Sequence, residues 1–293
     1  MKTIIIVPNK EDYIFNLFDE NISVYNLYKY SSNFFYKILR KLLYLSGFKL
    51  NNLFYEKWIN YLGKKVKIIF FDSCRIDHRL LNVLKKRENI YIYYWNPVFN
   101  LRLLNKQKEY FKVYSFDKGD SKKYKLKFNA QFYPLRYAQS VKSNEIKYDF
   151  MLVCADKGRA QSINNFYKLV NGCRNYIYIF CKKKSGGFYH KEKIRYSDYL
   201  NILNSSLCIV EIMQKNQSGL TLRSIEALFY NKKLITNNNT IKEEKFYNSA
   251  NIYILNKETN KEDINKFMKK PVVNIDDEIK KYFNIDKWIE RFD

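Results

Sequence analysis

The chain has 293 residues, which is enough for two domains of ordinary size. Hydrophobic residues are 46% and aromatic residues 18% of the sequence, a composition that excludes an intrinsically disordered chain. The net charge of +24 fits an anionic partner, but Lys far outnumbers Arg, which compositional bias alone would also produce.

The number and spacing of the Cys and His residues limit the kinds of site that the chain can contain. The five Cys include no Cys-x-x-Cys pair and the two His are far apart, so we expect reduced thiols and no metal site. The first ten residues are too quickly interrupted to be a signal peptide, and no run of eighteen apolar residues occurs. We therefore expect a cytoplasmic chain without a membrane span.

The first part of the chain alternates short apolar runs with helical patterns. We predict strands at 2–9, 66–73, 90–98 and 111–117, and helices at 33–46, 51–62, 78–87 and 99–109. The pattern fails between about 118 and 147, where we place a domain junction.

Alternation resumes after the junction. We predict strands at 148–155, 176–182, 207–213, 232–238 and 251–255, with helices at 160–171, 197–206, from 220 or 221, and near 241–247, 260–269 and 276–290. The fold class is therefore α/β, with two doubly wound, Rossmann-like domains facing a cleft. The predicted domains are 1–140 and 147–275, followed by a C-terminal helix within 276–293.

The stretch QSGLTLRSIEA, from Gln217 to Ala227, carries the most specific chemistry. A Gly-containing loop leads into a helix whose free N–H groups favour phosphate. Gly219 allows close backbone approach, Arg223 offers a guanidinium fork, and Glu226 one turn later can accept both hydroxyls of a ribose. The alternative is an ordinary i,i+3 ion pair on an amphipathic helix.

A second basic turn, DKGR, follows the first strand of the second domain. Gly158 makes the turn, while Lys157 and Arg159 can reach a phosphate; a solvated turn with two charges is the alternative. The predicted nucleotide-sugar-binding residues are Lys157, Gly158, Arg159, Gln217, Ser218, Gly219, Leu220, Thr221, Arg223 and Glu226.

These two stretches together resemble the donor-binding half of GT-B glycosyltransferases. The string from Gln214 to Ala227 and the DKGR turn are similar to bacterial enzymes of lipopolysaccharide and capsular polysaccharide synthesis, over roughly the last 150 residues. The resemblance implies transfer of a sugar from a nucleotide sugar, which we expect to be UDP-linked, to a glycan or lipid-linked glycan. One departure is Ser218, which stands where many members have the first of two spaced Glu residues. No Asp-x-Asp occurs, so we expect no metal and no other cofactor.

Catalytic residues are harder to assign from sequence. The resemblance implies that a general base would come from the first domain, where Asp72 ends a strand and His78 follows in the next turn. Glu211 ends a strand of the second domain and is a candidate for contact with sugar or acceptor. Each of these residues also fits a plain structural role, such as a helix cap.

A basic amphipathic helix near 31–50 admits two interpretations. Phe35, Ile38, Leu39 and Leu42 form one stripe among several basic residues. We expect this stripe to pack on the core, and the alternative is peripheral docking on the anionic inner face of the cytoplasmic membrane.

The remaining alternatives for the whole chain are an inactive GT-B scaffold and a single-strand nucleic-acid-binding protein. We expect no nucleic-acid partner, because the basic residues form no concentrated patch.

Overall fold

The computed structural model describes residues 2–10, 22–29, 34–45, 54–74, 76, 80–81, 84–85, 87–135, 138, 145–214 and 217–293. The chain divides into two compact units. The first unit contains Met1–Asn129 together with Ile289–Asp293, and the second contains Ala130–Trp288.

The first unit is built on a six-stranded parallel sheet. Its strands are β1 (Thr3–Val7), β2 (Ile22–Asn26), β3 (Lys67–Phe71), β4 (Ile90–Tyr94), β5 (Lys112–Ser115) and β6 (Lys127–Phe128), in the order β2-β1-β3-β4-β5-β6. Strands β1, β3 and β4 are buried at every residue, as expected for apolar runs in a sheet with both faces covered. Its α-helices with described bounds are α1 (Phe34–Leu45), α2 (Leu101–Lys108) and α3 (Lys118–Tyr124), with 3₁₀ turns at Lys57–Tyr61 and Asp72–Cys74. Leu80, Leu81 and Leu84 are helical as well.

The last five residues of the chain return to the first unit. The buried Lys67 amine donates to the carbonyls of Ile289, at 2.9 Å, and Phe292, at 2.5 Å. The Phe292 ring is 2% exposed and its centroid lies 4.6 Å from that of Tyr114. Arg291 donates from Nε to Asn129 Oδ1 at 2.7 Å. The C-terminus is therefore part of the core of the first unit.

The second unit has a second six-stranded parallel sheet. Its strands are β7 (Tyr148–Ala155), β8 (Asn175–Phe180), β9 (Tyr189–His190), β10 (Ser206–Glu211), β11 (Lys233–Thr236) and β12 (Ile252–Ile254), in the order β12-β11-β10-β7-β8-β9. Counted within the unit, this is the 3-2-1-4-5-6 order of dinucleotide-binding folds. The strand order reverses between β7 and β10, so the switch point lies where these two strands end.

The α-helices of the second unit whose bounds are described are α4 (Ala160–Leu169), α5 (Tyr196–Asn204), α6 (Leu222–Phe229), α7 (Lys261–Lys269), α8 (Asp277–Tyr282) and α9 (Ile285–Glu290), with a 3₁₀ turn at Asn239–Glu243. The last two residues of α9 belong to the first unit. The predicted helix 276–290 is therefore two helices. They are separated at Phe283 and Asn284, where Asn284 Oδ1 accepts a hydrogen bond from the Leu135 backbone at 3.3 Å.

The prediction of two doubly wound α/β domains is confirmed by the two parallel sheets and their flanking helices. The region 118–147, expected to be irregular, contains α3 and β6. Helix α3 begins because the Asp117 carboxylate caps the backbone N–H groups of Gly119 and Asp120.

Helix α1 differs from its expected packing. Phe34 is 68% exposed and Phe35 is 78% exposed, and Ile38, Leu39 and Leu42 are exposed as well. Core packing is therefore the wrong interpretation for the predicted stripe of Phe35, Ile38, Leu39 and Leu42, and the neighbouring Phe34 is exposed with it. No helix in the described part of the chain is long and apolar enough to cross a membrane.

Candidate functional site

The DKGR turn lies at the switch point of the second unit, directly after β7. The backbone N–H of Arg159 donates to the Asp156 carbonyl at 2.9 Å. Lys157 and Gly158, between them, have φ values of +41° and +77°, so the chain makes a tight turn of the primed type. A Cβ added to Gly158 would meet no atom within 4 Å, so glycine is favoured here by backbone conformation and not by space.

Two arginines fill the gap where β7 and β10 separate. Pairing between these strands extends only from Tyr148 opposite Ser206 to Met151 opposite Ile209. Beyond that point, Arg223 on α6 donates from Nε to the Val153 carbonyl at 2.8 Å, and also from its Nη2.

Arg159 makes similar bonds further along, at the carboxyl ends of the two strands. Its Nη1 donates to the Ile212 carbonyl at 2.7 Å, and its Nη2 donates to the Ala155 carbonyl. Arg159 therefore bridges the ends of the two strands, whereas Arg223 satisfies a carbonyl of β7 beyond the last strand pair. Both arginines are predicted phosphate ligands. In the structure their guanidinium groups donate to backbone oxygens, so their positive charge acts on the switch point electrostatically.

Lys157 differs from the two arginines. Its side chain is exposed, and it makes no ion pair or side-chain hydrogen bond within the part of the chain that the structure describes. Loss of hydration around its amine, followed by repulsion from Arg159 and Arg223, lowers the pKa of Lys157. Three positive charges thus meet at the carboxyl edge of the sheet, and of these only Lys157 has a side chain without a hydrogen-bond partner among the described residues.

The start of α6 is built around Glu211, the last residue of β10. Thr221 is the N-cap, since its Oγ1 accepts the backbone N–H of Arg223 at 3.1 Å. The same hydroxyl donates to Glu211, and so do Ser224 Oγ, at 2.7 Å, and Thr236 Oγ1. Glu211 is 1% exposed. Both carboxylate oxygens of Glu211, a predicted catalytic residue, therefore accept hydrogen bonds from hydroxyl groups inside the protein.

The loop before α6 is held to the neighbouring loop. Thr240 Oγ1 donates to the Ser218 carbonyl at 2.9 Å. Of the predicted binding residues in this loop, Gln217 and Ser218 are half-buried, whereas Gly219 and Leu220 are buried. The loop therefore lies beside the beginning of α6, as the sequence predicts, and its role in binding stays a prediction.

Glu226 points into a cluster of tyrosines. It is 2% exposed, and its carboxylate accepts hydrogen bonds from Tyr199 and, at 3.1 Å, from Tyr196, both on α5. Tyr133 bridges the Tyr196 and Tyr230 hydroxyls. Burial raises the pKa of Glu226 to about 7 against the opposing effect of these bonds. A ribose could reach this carboxylate only by displacing a tyrosine hydroxyl, so the predicted ribose contact stays a prediction.

Asp72 is the predicted catalytic residue that the structure describes in the first unit. It follows β3, is buried, and accepts hydrogen bonds from the Trp95 backbone N–H at 2.8 Å and from Asn96 Nδ2 at 3.1 Å. Burial raises the pKa of Asp72 to about 6, in the range that a general base at neutral pH needs. His78, the other candidate, lies outside the described residues.

The residues described here include no group of three or more His, Cys, Asp or Glu side chains placed to hold a metal ion. The tyrosine partners of Glu226 and the hydroxyl partners of Glu211 were not identified from sequence. The tyrosines that donate to Glu226 come from α5, and the hydroxyl partners of Glu211 come from the beginning of α6 and from β11. Only the folded topology brings these elements together.

Comparison with known proteins places this geometry in a fold family. No protein-family model matches the chain, and no curated protein matches its sequence. The structure of AviGT4, a glycosyltransferase involved in avilamycin A biosynthesis, matches with a TM-score of 0.50 and 10% identity, over 80% of this chain and 85% of that one. The structure of Anabaena Alr3699/HepE, in complex with UDP, matches with a TM-score of 0.51 and 8% identity, over 99% and 98% of the two chains. The fold is therefore that of the GT-B glycosyltransferases.

Proposed function

We propose that the chain is a glycosyltransferase that takes its sugar from a nucleotide diphosphate donor bound by the second unit. The fold shared with AviGT4 and with the UDP complex of HepE supports this class of reaction. The observation that carries the proposal is the position of Lys157, whose amine has no hydrogen-bond partner among the residues that the structure describes and lies near Arg159 and Arg223 at the switch point. Ligands of open α/β sheets bind at this edge.

The chemistry follows from the charges. When an acceptor hydroxyl attacks the anomeric carbon, the bond between that carbon and the diphosphate oxygen breaks, and the diphosphate leaves with additional negative charge. Lys157 is placed to contact that charge, and the capped beginning of α6 adds the positive end of a helix dipole. We propose UDP as the nucleotide, on the similarity of the fold to the UDP complex of HepE. We also propose no metal requirement, because these cationic groups can neutralise the leaving group. Asp72 is our candidate for the base that accepts the hydroxyl proton.

Calorimetric titration with UDP in the presence of EDTA tests the donor site. Removing one charged contact to phosphate costs about 1.5–3 kcal/mol, so Lys157→Ala should weaken UDP binding roughly 10- to 100-fold. Lys168→Ala removes the same charge from the exposed last turn of α4 and should leave the dissociation constant unchanged. Equal dissociation constants for the two variants would refute the assigned role of Lys157. A UDP affinity that appears only with added Mg²⁺ would refute metal independence.

We further propose that the acceptor is a bacterial surface glycan, such as a lipopolysaccharide or capsular chain, presented at the membrane as a lipid-linked glycan. The resemblance of residues 214–227 to that group of enzymes supports this acceptor class. Transfer of labelled sugar to lipid-linked glycan, compared with the same glycan freed from lipid, measures the preference. Equal rates would refute the lipid-linked part of the proposal.

The exposed stripe of α1 supports docking of the first unit on an anionic membrane. Five large apolar side chains face solvent on one 12-residue helix, and the chain carries a net charge of +24. An interfacial helix gains energy by burying such a stripe among lipid headgroups, and basic residues add attraction to anionic lipid.

A vesicle-binding assay checks this docking surface. Burial of one Phe is worth about 2 kcal/mol, so Phe35→Glu should lower partition onto vesicles containing phosphatidylglycerol by roughly 30-fold or more. Phe99→Glu, at an equally exposed site outside α1, should change it little beyond the added charge. Equal losses in the two variants would show that net charge, and not α1, controls binding. Tight binding to single-stranded oligonucleotide in place of vesicles would overturn the membrane proposal.

A further inference from the structure

Glu211 is buried like a core residue, and its hydrogen bonds connect β10 with α6 and β11. Its carboxylate accepts three hydroxyl hydrogen bonds, from Thr221, Ser224 and Thr236. Thr221 precedes α6, Ser224 lies in its first turn, and Thr236 ends β11. A single carboxylate at the end of β10 therefore fixes where α6 begins relative to the sheet.

The bond to Thr221 also decides how that hydroxyl caps the helix. A threonine hydroxyl has one hydrogen and two lone pairs. Because its hydrogen is directed to Glu211, a lone pair remains for the backbone N–H of Arg223, which it accepts at 3.1 Å. Glu211 thus orients the N-cap, and the N-cap orients the residue whose guanidinium closes the gap beside β7.

We propose that Glu211 is a positioning residue for the donor-diphosphate site and acts through Thr221 on the first turn of α6. This inference rests on the proposed function for its ligand, and it replaces the catalytic role expected from sequence. The carboxylate is 1% exposed and accepts three hydroxyl hydrogen bonds, so it is placed to fix the position of the groups that donate them. It holds the α6 start and the Arg223 charge at fixed distances from Lys157.

The test compares Glu211→Gln, Thr221→Ala and the double variant in UDP titration and steady-state kinetics. Both single variants should raise the UDP dissociation constant about tenfold, and the double variant should be no weaker than the worse single one, because both changes break one relay. Thr221→Ser keeps the hydroxyl and should restore most of the affinity. Turnover at saturating donor should fall by no more than the UDP affinity does, because both depend on the same start of α6. Glu262→Gln, an exposed Glu-to-Gln change on α7, is the matched control.

Hydrogen exchange of the peptide covering 217–229 gives a readout that needs no ligand. Glu211→Gln and Thr221→Ala should both speed exchange at the start of α6, whereas Glu262→Gln should not. A large loss of turnover with unchanged UDP affinity would overturn the proposal in favour of catalysis by Glu211, and additive effects in the double variant would overturn the relay. If the unaltered chain binds no UDP, the proposed function fails, while the exchange data still decide whether Glu211 positions α6. If Glu211→Gln does not fold, Thr221→Ala and Thr221→Ser alone decide.

Discussion

Protonated Glu226 should stabilise the second unit, and this contribution to the free energy of unfolding should decrease as the pH rises towards 7. Its pKa is about 7 in the folded chain and 4.5 for an ordinary glutamate, because burial disfavours the charged form. Between these two values the folded state holds more protons than the unfolded state, so the free energy of unfolding decreases as pH increases. The difference of about 2.5 units corresponds to roughly 3 kcal/mol, present below pH 4.5 and lost above pH 7.

The substitution Glu226→Gln removes this titration and retains the size of the side chain. Urea unfolding of both proteins between pH 4.5 and 8 should show that the stability of the variant, measured relative to the unaltered chain, rises by about 3 kcal/mol across that range. Glu262→Gln, at an exposed site, should show no such trend. A constant difference between Glu226→Gln and the unaltered chain would refute the burial of an ionisable carboxylate among these tyrosines.

Two further predictions concern the first unit. Phe292→Ala removes a buried ring packed against Tyr114 and should lower the free energy of unfolding by about 3–5 kcal/mol. Phe128→Ala, at an exposed position in the same unit, should lower it by less than about 1 kcal/mol. Urea unfolding measures both, and similar small losses would show that residues 289–293 do not belong to the core. Asp72→Asn should remove a loss of stability of about 3 kcal/mol that accompanies the rise in pH from 3.8 to 6, since burial raises the pKa of Asp72 to about 6; a pH profile unchanged by the substitution would contradict that.

The sequence predicts the central strands well because their signal is local. Strand β7 occupies 148–155 in both the prediction and the structure, and its apolar run is long enough to be unambiguous. Strands β2, β6 and β9 were not predicted. Two of these, β6 and β9, are only two residues long, and they depend on neighbouring strands for their hydrogen bonds. A strand of that length leaves no periodic pattern in the sequence.

The candidate site is predictable in its location and less so in its contacts. The turn at Lys157 and the Thr221 cap lie where the spacing of strands and helices places them. The partners of Arg223 and Glu226 could not be predicted, because a helical pattern tells which residues share a face but not what that face meets. Here it meets the Val153 carbonyl and α5, so the polar face of α6 is inside the protein.

The return of the C-terminus has a consequence for the order of folding during synthesis. The residues of the second unit are contiguous, from Ala130 to Trp288, whereas the first unit needs both ends of the chain. Lys67 finds its carbonyl partners, and Tyr114 its contact with Phe292, only when residues 289–293 have left the ribosome. The first unit is thus completed after the second, although its translation begins earlier, and removal of residues 289–293 leaves the first unit, rather than the second, with an open core.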